Sequence, residues 1–264
     1  MTRGLYIATT GMLNELKRQD VIANNLANVN TVGYKRDIPV SKSFPSLLLK
    51  RLNDPKPVAG GFEVDPRPIT GRVGLGVNPD VTAHDLATPG GYQETGNVLD
   101  LALFGNGFFV IQTPSGERYT RNGNFVIDTE SHLVTPDGYP VLGENGPIEV
   151  RRSSGSAINI TGEGDVIVNN ELVDQLQVVD FAKPYELTKM GNSMFIPTDP
   201  NAIPQQVPNI RVKSGTLEMS NVSVISEMVN LITVQRAYQA NQRVIKFHDS
   251  AIGRAIENLG KVSI

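Results

Sequence analysis

Proline is confined to the middle of this chain. All 17 prolines of the 264 residues lie between Pro39 and Pro208, so the first 38 residues and the last 56 contain none. Proline has no backbone N–H and clashes with the preceding turn of a helix, so segments without it can form long helices. The middle instead alternates short β-rich runs with turn residues. We therefore predict a mixed α+β fold: N- and C-terminal α-helices paired as a coiled-coil-like unit, with a central all-β domain of short antiparallel strands.

The N-terminal segment carries an apolar stripe at helical spacing. Its residues recur at intervals that line one face of a helix. The pattern predicts a helix from about residue 3 to residue 29, ended by Gly33, because glycine tolerates positive φ. The apolar residues that we expect to mediate packing are Leu5, Met12, Leu16, Ile22, Leu26 and Val29.

The C-terminal segment has a stricter repeat, in which apolar residues recur every seven positions without a miss. Such a repeat is typical of helices that supercoil around one another to the left. The predicted helix is about 50 Å long. Its N-cap is predicted at Ser220, Asn221 or Ser223. The ladder consists of Val224, Leu231, Tyr238, Ile245, Ile252 and Leu259.

Two interpretations of these helices remain open. In the first, both are ordinary amphipathic helices that pack on the chain's own domain. In the second, they pair with each other and keep apolar outer flanks, because a pair of helices cannot cover every side of either one. Neighbouring copies of the chain would then cover those flanks. We favour the second interpretation.

We divide the chain into three regions. Residues 1–36 and 216–264 form a discontinuous terminal helical assembly domain, residues 37–80 an extended connector, and residues 81–215 a β-rich domain. The connector combines many prolines and glycines with weak periodicity, apart from a helical or strand fragment at residues 46–49. Strands are predicted at residues 99–103, 108–112, 125–128, 158–160, 166–168, 175–181 and 194–196. Turns are predicted at residues 114–116, 121–123, 136–138 and 144–146.

The composition excludes two classes of partner. The formal net charge is −3 and there is no long basic run, so we expect no nucleic-acid partner. No stretch approaches the roughly 20 apolar residues of a membrane helix, so we expect no membrane insertion. The N-terminus also lacks the apolar core of a signal peptide, so we expect no cleaved signal peptide.

We find no pattern that indicates catalysis or a bound metal or cofactor. The chain has no cysteine, which excludes thiolate chemistry and disulfides. The three histidines, His84, His132 and His248, are isolated from one another and form no metal-ligating pair. The glycine-rich residues 71–76 lack the lysine of a phosphate loop, and no G-x-S-x-G nucleophile is present. We therefore predict no catalytic residue, no cofactor and no metal site, and expect that the chain is not an enzyme.

Several sequence blocks resemble the bacterial flagellar axial family, which comprises the rod, hook and hook-associated proteins. The first block, residues 22–36, reads IANNLANVNTVGYKR and resembles the N-terminal signature of that family. Further blocks follow in family order: TGNVLDLALFGNGFF at 95–109, YTRNGNFVID at 119–128, HLVTPDGYP at 132–140, GTLEMSNV at 215–222 and EMVNLITVQRAY at 227–238. The residues that match the signature are Asn24, Asn25, Leu26, Ala27, Asn28, Thr31, Gly33, Tyr34 and Lys35. The asparagines are either surface amides or groups that bond between helices and fix their register.

The chain is most similar to the rod members of this family, and the distal-rod type is favoured. The resemblance implies a structural subunit of the flagellar basal-body rod, exported by the flagellar type III apparatus and polymerised through its terminal helices to link basal body and hook. The implied partners are further copies of the chain in a helical homopolymer, adjacent rod and hook proteins, and the export apparatus. A hook or hook-associated axial protein is one alternative. An alternative of a different class is a cell-wall- or carbohydrate-binding β-domain with oligomerising helices, which predicts an aromatic binding face.

Overall fold

The computed structural model describes residues 2–52, 56–58, 62–64, 67–150, 158–182, 187–199, 201–207 and 210–260. The chain forms two compact units. The first combines Met1–Ala23, Pro39–Thr82 and Met228–Ile264, and the second combines Asn24–Ile38 and Ala83–Glu227. The chain therefore passes from one unit to the other four times, after residues 23, 38, 82 and 227.

The first helix, α1, runs over Thr2–Ala27 and contains no proline. It ends two residues before the predicted position. The Asn28 amide lies 3.1 Å from the carbonyl of Asn24 and 3.2 Å from that of Asn25, a shared bond that tightens the last turn. Gly33 has the expected positive φ, 66°, but the helix already ends at Ala27, six residues earlier, and not at this glycine.

The second helix, α2, runs over Val224–Gly260, a length of 37 residues. Ser223 is its N-cap: the Glu227 amide bonds to the Ser223 carbonyl at 3.0 Å, and the Ser226 amide lies 3.5 Å from the Ser223 hydroxyl. Neither described helix has a run apolar enough to cross a membrane. The helices predicted at the two chain ends are confirmed, whereas their coiled-coil pairing stays a prediction.

The segment after α1 forms nested antiparallel strand pairs. From the outside inwards these are β1 (Asp37–Ser43) with β6 (Val77–His84), β2 (Leu47–Lys50) with β5 (Ile69–Val73), and β3 (Lys56–Val58) with β4 (Phe62–Val64). Strand β2 overlaps the fragment predicted at residues 46–49. The described parts of the segment predicted as an extended connector therefore pair with one another as antiparallel strands; we call residues 37–84 the arm.

The second unit contains the predicted domain of short antiparallel strands. They are β7 Tyr92–Glu94, β8 Leu101–Leu103, β9 Phe108–Thr113, β10 Gly116–Thr120, β11 Val126–Ile127, β12 Leu133–Val134, β13 Leu142–Gly143, β14 Gly146–Pro147, β15 Ile158–Ile160, β16 Asp165–Val168, β17 Glu171–Gln175, β18 Val178–Asp180, β19 Leu187–Lys189, β20 Met194–Pro197, β21 Gln205–Gln206, β22 Val212–Ser214 and β23 Thr216–Glu218. Six form one sheet in the order β19-β20-β10-β9-β18-β21, and β15, β16 and β17 form another. The remaining pairs are β8–β22, β7–β23, β11–β12 and β13–β14.

Strand β9 is buried on both faces. Phe109 and Ile111 belong to one apolar cluster, and Phe108 and Val110 belong to another. Successive side chains of a strand point to opposite faces, so the two clusters are cores on the two sides of this sheet. In the first of them Phe109 packs edge-on against Phe125, with ring centroids 5.2 Å apart.

Each predicted strand overlaps an observed one, and the predicted turns connect them. Gly116 in the β9–β10 hairpin has φ 102°, and Gly146 between β13 and β14 has φ 125°. Gly123 is required for a different reason, because a Cβ there would lie 1.7 Å from the carbonyl oxygen of Leu101. The central region of short antiparallel strands is thus confirmed.

Candidate assembly interface

An apolar stripe faces outward at the start of α2. It consists of Ile225, Met228, Val229 and Ile232, whose side chains are 50–77% exposed. We call these four residues the α2 stripe. Their spacing of three and four places them on one face of the helix, while Glu227 and Val234 on the other face are 1% and 0% exposed. Because large contiguous apolar patches mark interaction sites, the α2 stripe is a candidate assembly surface.

Helix α1 also exposes large apolar side chains. Tyr6, Leu13 and Leu16 lie on one face at intervals of seven and three, and each is at least 40% exposed. Val21 and Ile22 are buried. Both chain ends therefore carry helices with an uncovered apolar face.

The packing residues predicted for the two helices, which include the α2 ladder, are mostly half-buried. The half-buried members are Leu5, Met12, Leu26, Val29, Val224, Leu231, Tyr238, Ile245 and Ile252. Ile22 is buried, Leu16 is exposed, and Val29 lies beyond the end of α1. The side chain of Leu259 lies outside the described residues. The ladder thus forms the half-buried side of α2, and its role in contacts between copies stays a prediction.

The asparagine-rich end of α1 forms a polar junction with the chain that follows it. The Tyr34 hydroxyl lies 2.9 Å from Asn24 Oδ1, 3.1 Å from Asn25 Oδ1 and 3.3 Å from Asp37 Oδ2. The buried Asn25 amide donates to the Asp37 carbonyl at 2.8 Å and accepts from the Asp37 amide at 2.9 Å. Burial raises the pKa of Tyr34, and the Asp37 charge raises it further. Asn24 and Asn25 thus bond to the chain segment that follows α1, residues 28–37, which we call the helix exit. Among the described residues of one copy, these bonds do not reach a second helix.

The other signature residues complete the helix exit. Leu26 and Ala27 end the helix, Asn28 Nδ2 donates to the Asn24 carbonyl at 2.9 Å, and Thr31 Oγ1 donates to Asn28 Oδ1 at 3.2 Å. The turn after α1 is therefore stabilised by hydrogen bonds from side chains within the turn itself.

Gly33 has two reasons to be glycine. Its φ is positive, and a Cβ there would lie 2.5 Å from the backbone nitrogen of Asn122. Its amide donates to the Glu218 carbonyl at 2.8 Å, so the helix exit lies directly against the β-domain backbone.

Lys35 belongs to a buried charge cluster with Glu218 and Arg121. Lys35 Nζ lies 2.7 Å from Glu218 Oε1 and 2.9 Å from the Thr88 carbonyl. Arg121 Nη1 lies 3.3 Å from Glu218 Oε2, and the Gly90 amide donates to Glu218 Oε1 at 3.0 Å. Burial lowers the pKa of Lys35, and the Glu218 carboxylate opposes that shift.

Asp37 is held by two basic side chains. Lys189 Nζ lies 2.5 Å and His84 Nδ1 lies 2.7 Å from Asp37 Oδ1, and Lys189 Nζ also lies 3.9 Å from the centre of the Tyr34 ring. Burial alone would raise the pKa of Asp37. The hydrogen bonds from His84 and Lys189 outweigh burial, so its pKa lies below the ordinary value.

Arg36 joins the helix exit to the start of α2. Its amide donates to Asn221 Oδ1 at 2.7 Å, and Asn221 Nδ2 donates to the Asp85 carbonyl at 3.0 Å. Arg36 Nε lies 2.7 Å from Glu227 Oε1, an ion pair whose atoms are not aligned for a hydrogen bond. The end of α1 and the first turn of α2 therefore share one polar scaffold.

The charged side chains of this scaffold are paired with one another. A cleft of about 600 Å³ beside the junction is lined by Asn24, Asn122, Asp137 and Lys189 among others, and Lys189 is already paired with Asp37. The described residues contain no group of three or more His, Asp or Glu that could hold a metal ion. The charged groups of the junction bond to one another and fix the ends of two helices.

Sequence reasoning missed most of the outward apolar residues. Tyr6, Leu13, Ile225, Val229 and Ile232 were not among the predicted packing residues. The sequence did contain a signal for them: apolar residues at positions i, i+3, i+4 and i+7, such as those from Ile225 to Ile232, lie on one face of a helix. The buried charge cluster offered no such signal, since Lys35 and Glu218 are 183 positions apart.

Three family models match separate parts of the chain. "Flagella basal body rod protein" matches residues 5–35, which include α1 and the helix exit. "Flagellar hook protein FlgE/F/G D1 domain" matches residues 102–168 of the β-domain. "Flagellar basal body rod FlgEFG protein C-terminal" matches residues 213–258, which include most of α2.

Curated relatives match over nearly the whole chain. The flagellar basal-body rod protein FlgG of Borreliella burgdorferi is 36% identical and aligns over 97% of this chain and 98% of its own length. FlgG of Bacillus subtilis is 33% identical, over 96% and 97% respectively. The flagellar basal-body rod protein FlgF of Caulobacter vibrioides is 31% identical over the full length of both chains. Since these identities extend over both helices and the β-domain, the chain belongs to the flagellar basal-body rod protein family.

Proposed function

We propose that this chain is a structural subunit of the flagellar rod, of the distal-rod type, and that it polymerises through its terminal helices. Its family supports a location in the flagellar basal body. The single observation that supports polymerisation is the α2 stripe, an apolar helix face that is exposed to solvent opposite the buried Glu227 and Val234. The other proposed partners are adjacent rod and hook proteins.

Burial of the stripe contributes favourable free energy to association. If its four side chains each gain about 1 kcal/mol on partial burial, the contact contributes about 4 kcal/mol before ordering costs. The exposed face of α1 adds to this sum. When such a contact joins different surfaces of successive copies and does not close into a ring, it builds a helical filament.

The proposed assembly domain comprises residues 1–36 and 216–264, and the predicted ladder residues are its proposed packing surface. We further propose that the chain reaches the rod through the flagellar type III apparatus. The absence of cysteine is consistent with transit as an unfolded chain, since no thiol can be oxidised on the way.

A glycan-binding β-domain is the second candidate function. One aromatic pair supports it. The rings of Tyr92 and Phe104 stack with centroids 4.3 Å apart, and the two residues are 38% and 39% exposed. Co-sedimentation with purified peptidoglycan separates the candidates, because the rod function requires no strong retention.

The substitution Ile232→Glu tests the proposed function. It places a charge in the α2 stripe at an exposed position, so the single chain should fold as before while the contact between copies is lost. We expect unchanged far-ultraviolet circular dichroism of the purified chain. In cells that depend on this protein, we expect at least a ten-fold loss of basal bodies with complete rods in electron micrographs.

The matched control is Gln242→Glu, at a position off the helix face that carries the α2 stripe. It adds the same charge at an exposed position of the same helix without removing apolar surface. Rods should form normally with this control. Normal rod numbers in the Ile232→Glu strain would reject the proposed role of the stripe.

A further inference from the structure

Two glycines of α1 lie against polar side chains of α2. A Cβ at Gly4 would lie 2.6 Å from His248 Nε2, and a Cβ at Gly11 would lie 3.0 Å from Asn241 Nδ2. The glycines are seven residues apart, and so are their partners. Residue numbers rise along one helix while they fall along the other. The two helices therefore run antiparallel and keep one register over at least two turns.

Glycine weakens the interior of a helix, so these two positions require an explanation. Gly253 of α2 provides the contrast, because nothing lies within 4 Å of a Cβ placed there. At Gly4 and Gly11 the space of the missing side chain is instead occupied by the imidazole and the amide of the opposite helix.

The apolar ladder cannot select this register by itself. It repeats every seven residues, so α2 could slide by seven residues along α1 and present the same ladder. After such a slide Gly11 would face Val234 or His248 in place of Asn241. In coiled coils a single polar or steric irregularity resolves this ambiguity at some cost in stability.

We propose that the pairs Gly4–His248 and Gly11–Asn241 set the register in which α1 and α2 of one copy pack. A side chain larger than hydrogen at either glycine must displace its partner or separate the helices. The pairs thereby fix where the exposed faces of α1 and α2 lie relative to each other along the helix axis. Only the use of these faces in assembly rests on the proposed function.

Disulfide formation in the full-length chain tests the register directly, because the natural chain has no cysteine. Asn241 Cγ lies 3.4 Å from the Cβ position of residue 11, which is close to where a cysteine sulfur of a disulfide would lie. The test pair is Gly11→Cys with Asn241→Cys. The comparison pairs combine Gly11→Cys with Val234→Cys or with His248→Cys, each shifted by seven residues.

We expect the 11–241 disulfide to form at least ten-fold faster than either comparison, and within one chain. Equal rates, a faster shifted pair, or disulfides mainly between chains would overturn the proposed register. A preferred 11–241 disulfide together with normal rods in the Ile232→Glu strain would sustain the register and reject the proposed function.

An exchange of the two residues tests their complementarity without cysteine. Gly11→Asn should increase the rate of tryptic cleavage at Lys17 and Arg18 several-fold, and the added Asn241→Gly should restore resistance. Gly253→Asn is the control and should leave the rate unchanged. Absence of an effect of Gly11→Asn, or absence of rescue by Asn241→Gly, would contradict the complementarity of this pair.

Discussion

At the scale of single residues, Glu218 connects the helix exit to the β-domain. Its carboxylate accepts from Lys35, Arg121 and the Gly90 amide, and its carbonyl accepts from the Gly33 amide. The side chain is fully buried. Removal of a buried charge that neutralises two others leaves both without compensation, which is strongly destabilising.

We predict that Glu218→Gln, which keeps the shape and removes the charge, destabilises the β-domain by about 3 kcal/mol or more. Urea unfolding followed by tyrosine fluorescence measures the change. The control is Glu94→Gln, because Glu94 forms an exposed ion pair with Lys213 and its loss should not be measurable. Equal stability of the Glu218→Gln variant and the natural chain would show that the buried charge cluster is not what holds the helix exit.

At the scale of elements, the exit from α1 depends on the one backbone conformation that Gly33 supplies. The helix ends at Ala27, the intervening turn bonds to itself, and the chain then reverses at positive φ. The neighbouring atoms at Gly33 are backbone atoms of Arg121 and Asn122, which cannot move aside as a flexible side chain can.

We predict that Gly33→Ala destabilises the second unit by about 2 kcal/mol or more, from positive φ and the backbone overlap together. Its control, Gly253→Ala, has open space and should raise helix stability by up to about 1 kcal/mol. Chemical denaturation of both variants is the measurement. A Gly33→Ala chain that unfolds at the natural urea concentration would exclude a close backbone approach at this position.

Sequence patterns predict the long elements of this protein better than the pairing between them. The ladder from Val224 to Leu259 spans five seven-residue intervals, about ten helical turns, so the length of α2 could be predicted from it. The arm has only weak periodicity: its sequence allows a helix or a strand at residues 46–49, and the structure has the strand Leu47–Lys50, paired with Ile69–Val73. Packing of Gly11 against Asn241 and of Lys35 against Glu218 joins opposite ends of the chain, which local periodicity does not indicate.

At the scale of the whole molecule, the β-domain and the terminal helices differ in how far their large apolar side chains are buried. The β-domain has two apolar cores on the faces of one sheet, with Phe108 and Phe109 buried side by side in opposite directions. Large apolar side chains of both helices stay in solvent. We therefore propose that the β-domain is complete in one copy, whereas the helical surface is completed by neighbouring copies.

Thiol labelling tests this central claim most directly. The cysteine-free chain carries Val229→Cys, and maleimide labelling is followed in the free chain and in purified basal bodies, with the denatured chain as reference. Because Val229 is exposed in one copy and is proposed to be buried between copies, we expect rapid labelling in the free chain and at least ten-fold slower labelling in the rod. Equally rapid labelling in both would contradict it.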